Sequence, residues 1–237
     1  MIQGFFHRAA DLPHKPIPLA IHLIVEDALR ASWNKLRKSP PAGFLISTAL
    51  EDVVTHELLK ILHGEIFDSD DVPGFNREYF ESPKREAKLE NFDETKRDLM
   101  PDLLIGMVGR SRARIQWQDY LFIECKPVDQ KHPAGQAYCD AGLIRFVRGD
   151  YAWAMTSALM VGYANKDYCI LPKLDEALKN RVPKIPTVAY PLPCPHSNAT
   201  GFSETTHSSE HSRTFAYVQT GMAAPKIVIR HLWLKRD

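Results

Sequence analysis

The sequence predicts an α/β protein with a central mixed β-sheet flanked by helices, and three observations carry that reading. Residues 101–126 read as two apolar strands around a basic turn, Ala158–Ala164 is a continuous apolar run, and a segment of helical periodicity lies between them. Strand, crossover helix and buried strand make a parallel pair, while the turn inside 101–126 makes an antiparallel one. A sheet that holds both is mixed.

Composition sets the frame. The chain has 237 residues, of which 44% are hydrophobic and 25% charged, enough for one domain with a sizeable core. A net charge of +1 excludes a globally basic nucleic-acid binder and leaves room for a locally basic cleft. Cys125, Cys139, Cys169 and Cys194 are far apart, with no C-x-x-C pair. This argues against a zinc ribbon or a disulfide framework and for a reducing, cytoplasmic setting. The first residues lack the pattern of a signal peptide, and no stretch reaches the roughly 20 apolar residues of a membrane helix. The expectation is a cytoplasmic protein with no membrane partner.

Taken in order, residues 1–16 form an irregular arm punctuated by Pro13 and Pro16. Ile21, Ile24, Val25, Ala28, Leu29 and Trp33 recur at helical spacing, so a helix runs from Pro18 to Lys38, with His22 and Glu26 on its polar flank. A second helix covers Thr48–Leu62, where Thr48 and Glu51 match a capping box and Gly64 is a stop signal. Glu51 and Glu57 sit on opposite borders of its apolar stripe. Residues 68–97 are polar and loop-like, with a strand available at Phe75–Phe80.

Pro101–Val108 and Asp119–Lys126 then form an antiparallel hairpin. Side chains alternate along a strand, so Glu124 and Lys126 share a face and Cys125 takes the other. Pairing brings Asp102 beside Glu124. Two carboxylates held close repel each other, and a divalent cation relieves that repulsion. Beyond Lys126, a helix over Ala134–Val147, a short helical piece over Gly149–Met155 and the strand Ala158–Ala164 complete the crossover. A helix over Lys166–Asn180, an extended proline-rich segment, a flexible His/Ser-rich loop (196–212) and two closing strands, Thr214–Val218 and Lys226–Leu234, follow.

Pro101-Asp102 in one strand and Glu124-Cys125-Lys126 in the next resemble the motif of the PD-(D/E)xK nuclease superfamily. The resemblance implies a restriction-endonuclease-like core over residues 44–164, with 1–43 as N-terminal arm and helix and 165–237 as a C-terminal part of the same domain. It implies Mg²⁺ or Mn²⁺ held by Asp102, Glu124 and the Cys125 carbonyl, with Lys126 positioning the attacking water. Glu51, or Glu57 in its place, supplies a helix carboxylate. The implied activity is hydrolysis of DNA rather than RNA, by an endonuclease rather than an exonuclease, acting alone, as a homodimer or in a larger complex.

Arg110, Arg112 and Arg114 at the hairpin tip, with Gln136 and Arg145 on the crossover helix, are the candidate nucleic-acid contacts; the arginines equally suit ordinary surface roles. Gln136-Ala137-Tyr138 departs from the Q-x-x-x-Y spacing of exonuclease-like branches. His211 and Arg213 are second-tier candidates. Two other functions compete: a non-catalytic module that keeps the nuclease fold, and a zinc protein that uses the C-terminal histidines His196, His207 and His211, which lack a compact ligand pattern.

Overall fold

The computed structural model describes residues 12–110, 115–196, 205–218 and 220–236. Two helices come first, α1 (Leu19–Lys38) and α2 (Glu51–Ile61), the second widening into a π-helical turn over Leu62–Ile66. The strands are β1 (Lys84–Arg85), β2 (Leu103–Gly106), β3 (Tyr120–Val128), β4 (Ser157–Ala164), β5 (Thr187–Pro193), β6 (His207–His211) and β7 (Ile227–Lys235). A wide π-helical segment, Ala134–Leu143, runs into α3 (Ile144–Arg148) between β3 and β4, and α4 (Ile170–Lys179) follows β4. The strands make one open mixed sheet in the order β1-β2-β3-β4-β7-β6-β5. Its centre, β3-β4-β7, is parallel and its two ends are antiparallel.

β3 and β4 are buried on both faces, which explains the apolar runs Leu121–Ile123 and Ala158–Ala164. Register divides the layers. Glu124, Met160 and His231 lie in one row and Lys126, Gly162 and Trp233 in another row of the same face. The crossover covers that face, with Tyr138 5.8 Å from His231 and 5.7 Å from Trp233 between ring centroids. Gly142 permits the close approach: a Cβ there would stand 2.8 Å from Met160 Cε and 3.2 Å from Lys126 Cγ. On the opposite face α1 and α2 pack over Tyr163, whose ring stacks on Trp33 at 5.5 Å and whose hydroxyl lies 2.9 Å from Thr55 Oγ1.

Several expectations need correction. Gly149–Met155 is a run of bends and turns, because Gly149 closes α3 in a left-handed conformation (φ 76°). Phe75–Phe80 folds as turns, ending in one bridge from Phe80 to Met107. Residues 207–211, expected within a flexible loop, form β6, the antiparallel partner of β7. Thr214–Val218 contributes only a bridge, Ala216 to Ala223. Part of the expected loop, residues 197–204, lies outside the described residues.

The polar flank of α1 is a buried face. Glu26 is fully buried and accepts hydrogen bonds from Arg230 of β7 and from Thr206 Oγ1 at 3.0 Å, while Arg30 donates to Thr206 Oγ1 at 2.6 Å. His22 is buried too, its Nε2 3.1 Å from Ser157 Oγ. A carboxylate between two guanidiniums carries a high cost when it alone is removed, because both cations stay behind in the core. Glu26→Ala is therefore expected to lose about 3–5 kcal/mol of stability in urea denaturation. A loss within 1 kcal/mol would mean that water enters the cluster.

Candidate active site

The site forms where β3 outruns its partner. Pairing of β2 with β3 stops at Leu103–Ile123, so the next amide on that edge of β3 needs an acceptor from elsewhere. Asp102 supplies it: its Oδ2 accepts the Cys125 N–H at 2.6 Å. The carboxylate thus extends the ladder by one bond, and it is held on the same edge as Glu124 and Lys126. Nearby, β3 lacks a further strand on that side, and Glu51 at the first turn of α2 reaches Lys126.

Glu51 is available because the capping box does not form. The helix begins three residues later than expected, with Leu50 at its N-cap and no side-chain cap. Freed from that role, Glu51 Oε1 stands 2.6 Å from Lys126 Nζ. Glu57, the alternative, pairs with Lys60 at 2.8 Å on the surface. The structure brings together Glu51, Asp102, Glu124 and Lys126, and it leaves Glu57 out.

Lys126 lies at the centre. Its Nζ is 3.0 Å from Glu124 Oε1 and 3.6 Å from Asp102 Oδ2, and it donates to the Cys125 carbonyl at 2.7 Å. Burial by itself disfavours the ammonium, but Glu124, Asp102 and Glu51 outweigh it and hold the Lys126 pKa above its ordinary value. That raised pKa keeps Lys126 a cation and hydrogen-bond donor near neutral pH. Glu124 is almost wholly buried, and burial, with the Asp102 charge added, pushes its carboxyl up to about 7 against the pull of Lys126 and Arg145. Burial raises Glu51 as well, opposed by Lys126.

Glu124 also carries the clearest unmet demand in the site. Its Oε1 is within ion-pair range of Lys126 and of Arg145, at 3.4 Å for the latter, without the alignment of a hydrogen bond, and Oε2 has no hydrogen-bond partner. Oxygen atoms so placed, with the Asp102 carboxylate and the Cys125 carbonyl, form an all-oxygen set that suits a hard divalent cation such as Mg²⁺. Among the described residues, no group of three or more His, Cys, Asp or Glu side chains is arranged to hold a metal ion as it stands. The Lys126 ammonium occupies the convergence point of these oxygens. A buried oxygen without a partner and matching donor chemistry nevertheless make Asp102, Glu124 and Cys125 a fitting set.

Arg145, a candidate nucleic-acid contact on the crossover, lies in the site instead of facing outward alone. It faces Glu124, and it is held there by Tyr151, whose hydroxyl accepts from Arg145 and donates to the Met100 carbonyl at 2.9 Å. No sequence signal marked Tyr151, because the segment that carries it read as helix.

No protein-family model, curated protein or solved structure matches this chain.

The remaining candidates lie elsewhere. Arg110 is tied to Asp119 at 2.9 Å and to the Pro16 carbonyl at 3.1 Å, which anchors the N-terminal arm. Arg112 and Arg114 lie outside the described residues. Gln136 is exposed and lines a separate groove between the crossover and α4. Arg213 is buried and donates to the Trp153 carbonyl at 2.7 Å and to that of Met155. His211 is buried in a hydrogen-bonded chain: Ser209 Oγ stands 2.7 Å from Nε2 of both His211 and His231, and His231 Nδ1 is 3.0 Å from Tyr138 OH. His196 and His207 each lie against a backbone carbonyl two residues away. The described C-terminal histidines therefore serve the sheet and its approaches.

Proposed function

We propose that the chain is a metal-dependent nuclease with a restriction-endonuclease-like core, and that it hydrolyses phosphodiester bonds within DNA. The observation that carries this reading is the buried Glu124 carboxylate, which has an unpartnered oxygen beside Asp102, the Cys125 carbonyl and the Lys126 ammonium. Asp102, Glu124 and the Cys125 carbonyl would hold Mg²⁺ or Mn²⁺. A cation bound there supplies Lewis-acid activation of the scissile phosphate and acidifies a water molecule. Lys126 stays protonated, and it stabilises negative charge as it builds on the phosphate. Arg145, steadied by Tyr151, offers a second cation on the Glu124 side. Glu51 orients Lys126 through the 2.6 Å contact.

A non-catalytic binding module is the second reading. The observation in its favour is that the Lys126 ammonium already answers Glu51 and the Cys125 carbonyl. Incubating the purified protein with circular and linear DNA in Mg²⁺, Mn²⁺ or EDTA separates the two. Cation-dependent cutting of the circle is the result expected of an endonuclease. Absence of both cutting and calorimetric metal binding would favour the module.

A further inference from the structure

The geometry points to Arg145 as the receptor for a backbone phosphate, released for that task when a cation binds Glu124 and kept aimed by Tyr151 as a positioning residue. This rests on the nuclease reading above and adds an order of binding to it, cation first and phosphate second. Arg145 is little committed within the protein. Tyr151 OH is its one hydrogen-bond partner among the described residues. A guanidinium carries five N–H donors in a planar fork that matches the edge of a phosphate, so most of these donors are still to be used. The Arg145 side chain is 38% exposed and that of Glu124 only 1%, so an incoming anion meets the arginine first. Towards the site Arg145 faces Glu124 Oε1 at 3.4 Å, without the paired bonds that an arginine makes to a carboxylate it serves alone.

Charge sets the order. Glu51, Asp102 and Glu124 bring three negative charges and Lys126 and Arg145 two positive ones, which leaves −1 and a cluster that repels a phosphate diester. A divalent cation on Glu124 turns −1 into +1. It also takes away the charge that Arg145 leans on, because Glu124 Oε1 is shared between Arg145 and Lys126, the latter at 3.0 Å. Two cations then stand side by side, and an anion that touches both relieves their repulsion. A phosphate diester has two unesterified oxygens, one for each. Cation and phosphate therefore raise each other's affinity by the same factor.

Tyr151 keeps Arg145 in place when Glu124 lets go. Its side chain is buried, its hydroxyl donates to the Met100 carbonyl at 2.9 Å, and its ring lies 5.9 Å from that of Phe146. The Arg145 guanidinium sits 5.2 Å from the centre of the same ring. Ring and hydroxyl together hold the arginine beside the site instead of letting it turn out into water. Met100 stands two residues before Asp102, so one hydroxyl ties the phosphate receptor to the segment that carries a metal carboxylate.

The test uses the full chain at pH 8, Ca²⁺ as the cation and a fluorescent DNA duplex, with cleavage in Mg²⁺ measured separately. In calorimetry without DNA, Arg145→Met is expected to bind Ca²⁺ about tenfold tighter than the wild type, because a cation beside Glu124 is gone. In fluorescence anisotropy, Ca²⁺ should tighten duplex binding by about tenfold in the wild type and hardly at all in Arg145→Met. Tyr151→Phe keeps the ring; it should lose that gain with no tighter Ca²⁺ binding, a combination that loosening of the fold would not produce. Arg148→Met, at an exposed position of α3, should weaken duplex binding equally with and without Ca²⁺. Unchanged Ca²⁺ affinity in Arg145→Met, or a Ca²⁺ gain that survives it, overturns the proposal. A gain that depends on Arg145 without cleavage in Mg²⁺ keeps the assignment and removes the nuclease reading, whereas cleavage without such a gain does the reverse. A wild type that binds no Ca²⁺ overturns both.

Discussion

Replacing Lys126 with alanine is expected to lower Mg²⁺-dependent DNA cleavage by about a hundred- to a thousandfold while metal binding persists or tightens. The two effects separate because the ammonium has two roles. As a donor beside the scissile phosphate it stabilises developing charge, and its loss is felt in the rate. As the cation among Glu51, Asp102 and Glu124 it competes for the oxygens that a divalent ion would use. Calorimetry with Mg²⁺ and a cleavage time course on the same preparation give both readouts. Glu124→Gln should lose metal binding and cleavage together, since it removes the charged ligand. Cleavage undiminished in Lys126→Ala would sink the proposed chemistry outright.

The second large effect is acid destabilisation. Burial lowers the pKa of His22 and of His211 to about 4 and holds that of His231 well below its ordinary value. A folded-state pKa below the unfolded value of about 6.5 means stability that is complete above pH 6.5 and lost as pH falls toward 4. Glu124 runs the other way: with a folded pKa of about 7 it gains stability as pH falls from 7 toward 4.5. Three protons taken up on unfolding against one released leave a net of about two. Since each unfolded histidine is only half protonated at pH 6.5, this amounts to roughly 3 kcal/mol lost between pH 6.5 and 5. Urea melts at pH 7.5, 6.5, 5.5 and 5 read this directly. A flat profile would mean that the buried histidines take up protons inside the folded protein.

Much of the centre of the molecule was legible from the sequence. The runs 121–123 and 158–164 are apolar on both faces because both faces are covered, and the segment between the two strands forms the crossover. The alternation of Glu124, Cys125 and Lys126 placed the first and third on one face, as found. What was missed shares one cause: polar residues that satisfy one another give no hydrophobic pattern. His207-Ser-Ser-Glu-His211 forms a strand whose inward residues, Ser209 and His211, are bonded to each other, so apolar alternation never marked it. Glu26 and Arg30 are buried for the same reason. At α2 the letters of a capping box were present, but the helix begins at Glu51, where the carboxylate has a stronger partner in Lys126.

The hydrogen bond from Cys125 N–H to Asp102 gives that aspartate two employments. One belongs to the chemistry of the site and the other to the architecture of the sheet. A descendant of this chain that had given up hydrolysis would still need an acceptor for that amide, and so would be under pressure to keep Asp102. Glu124 serves no backbone amide: its oxygens have no aligned hydrogen bond, and its charge is answered by Lys126 and Arg145 within the site itself. In comparing descendants, a retained Asp102 is therefore weak testimony to activity, and joint retention of Glu124, Lys126 and Arg145 says more than any one of them. For the same reason Asp102→Asn, which keeps an acceptor oxygen, isolates the loss of charge, whereas Asp102→Ala also frays the strand.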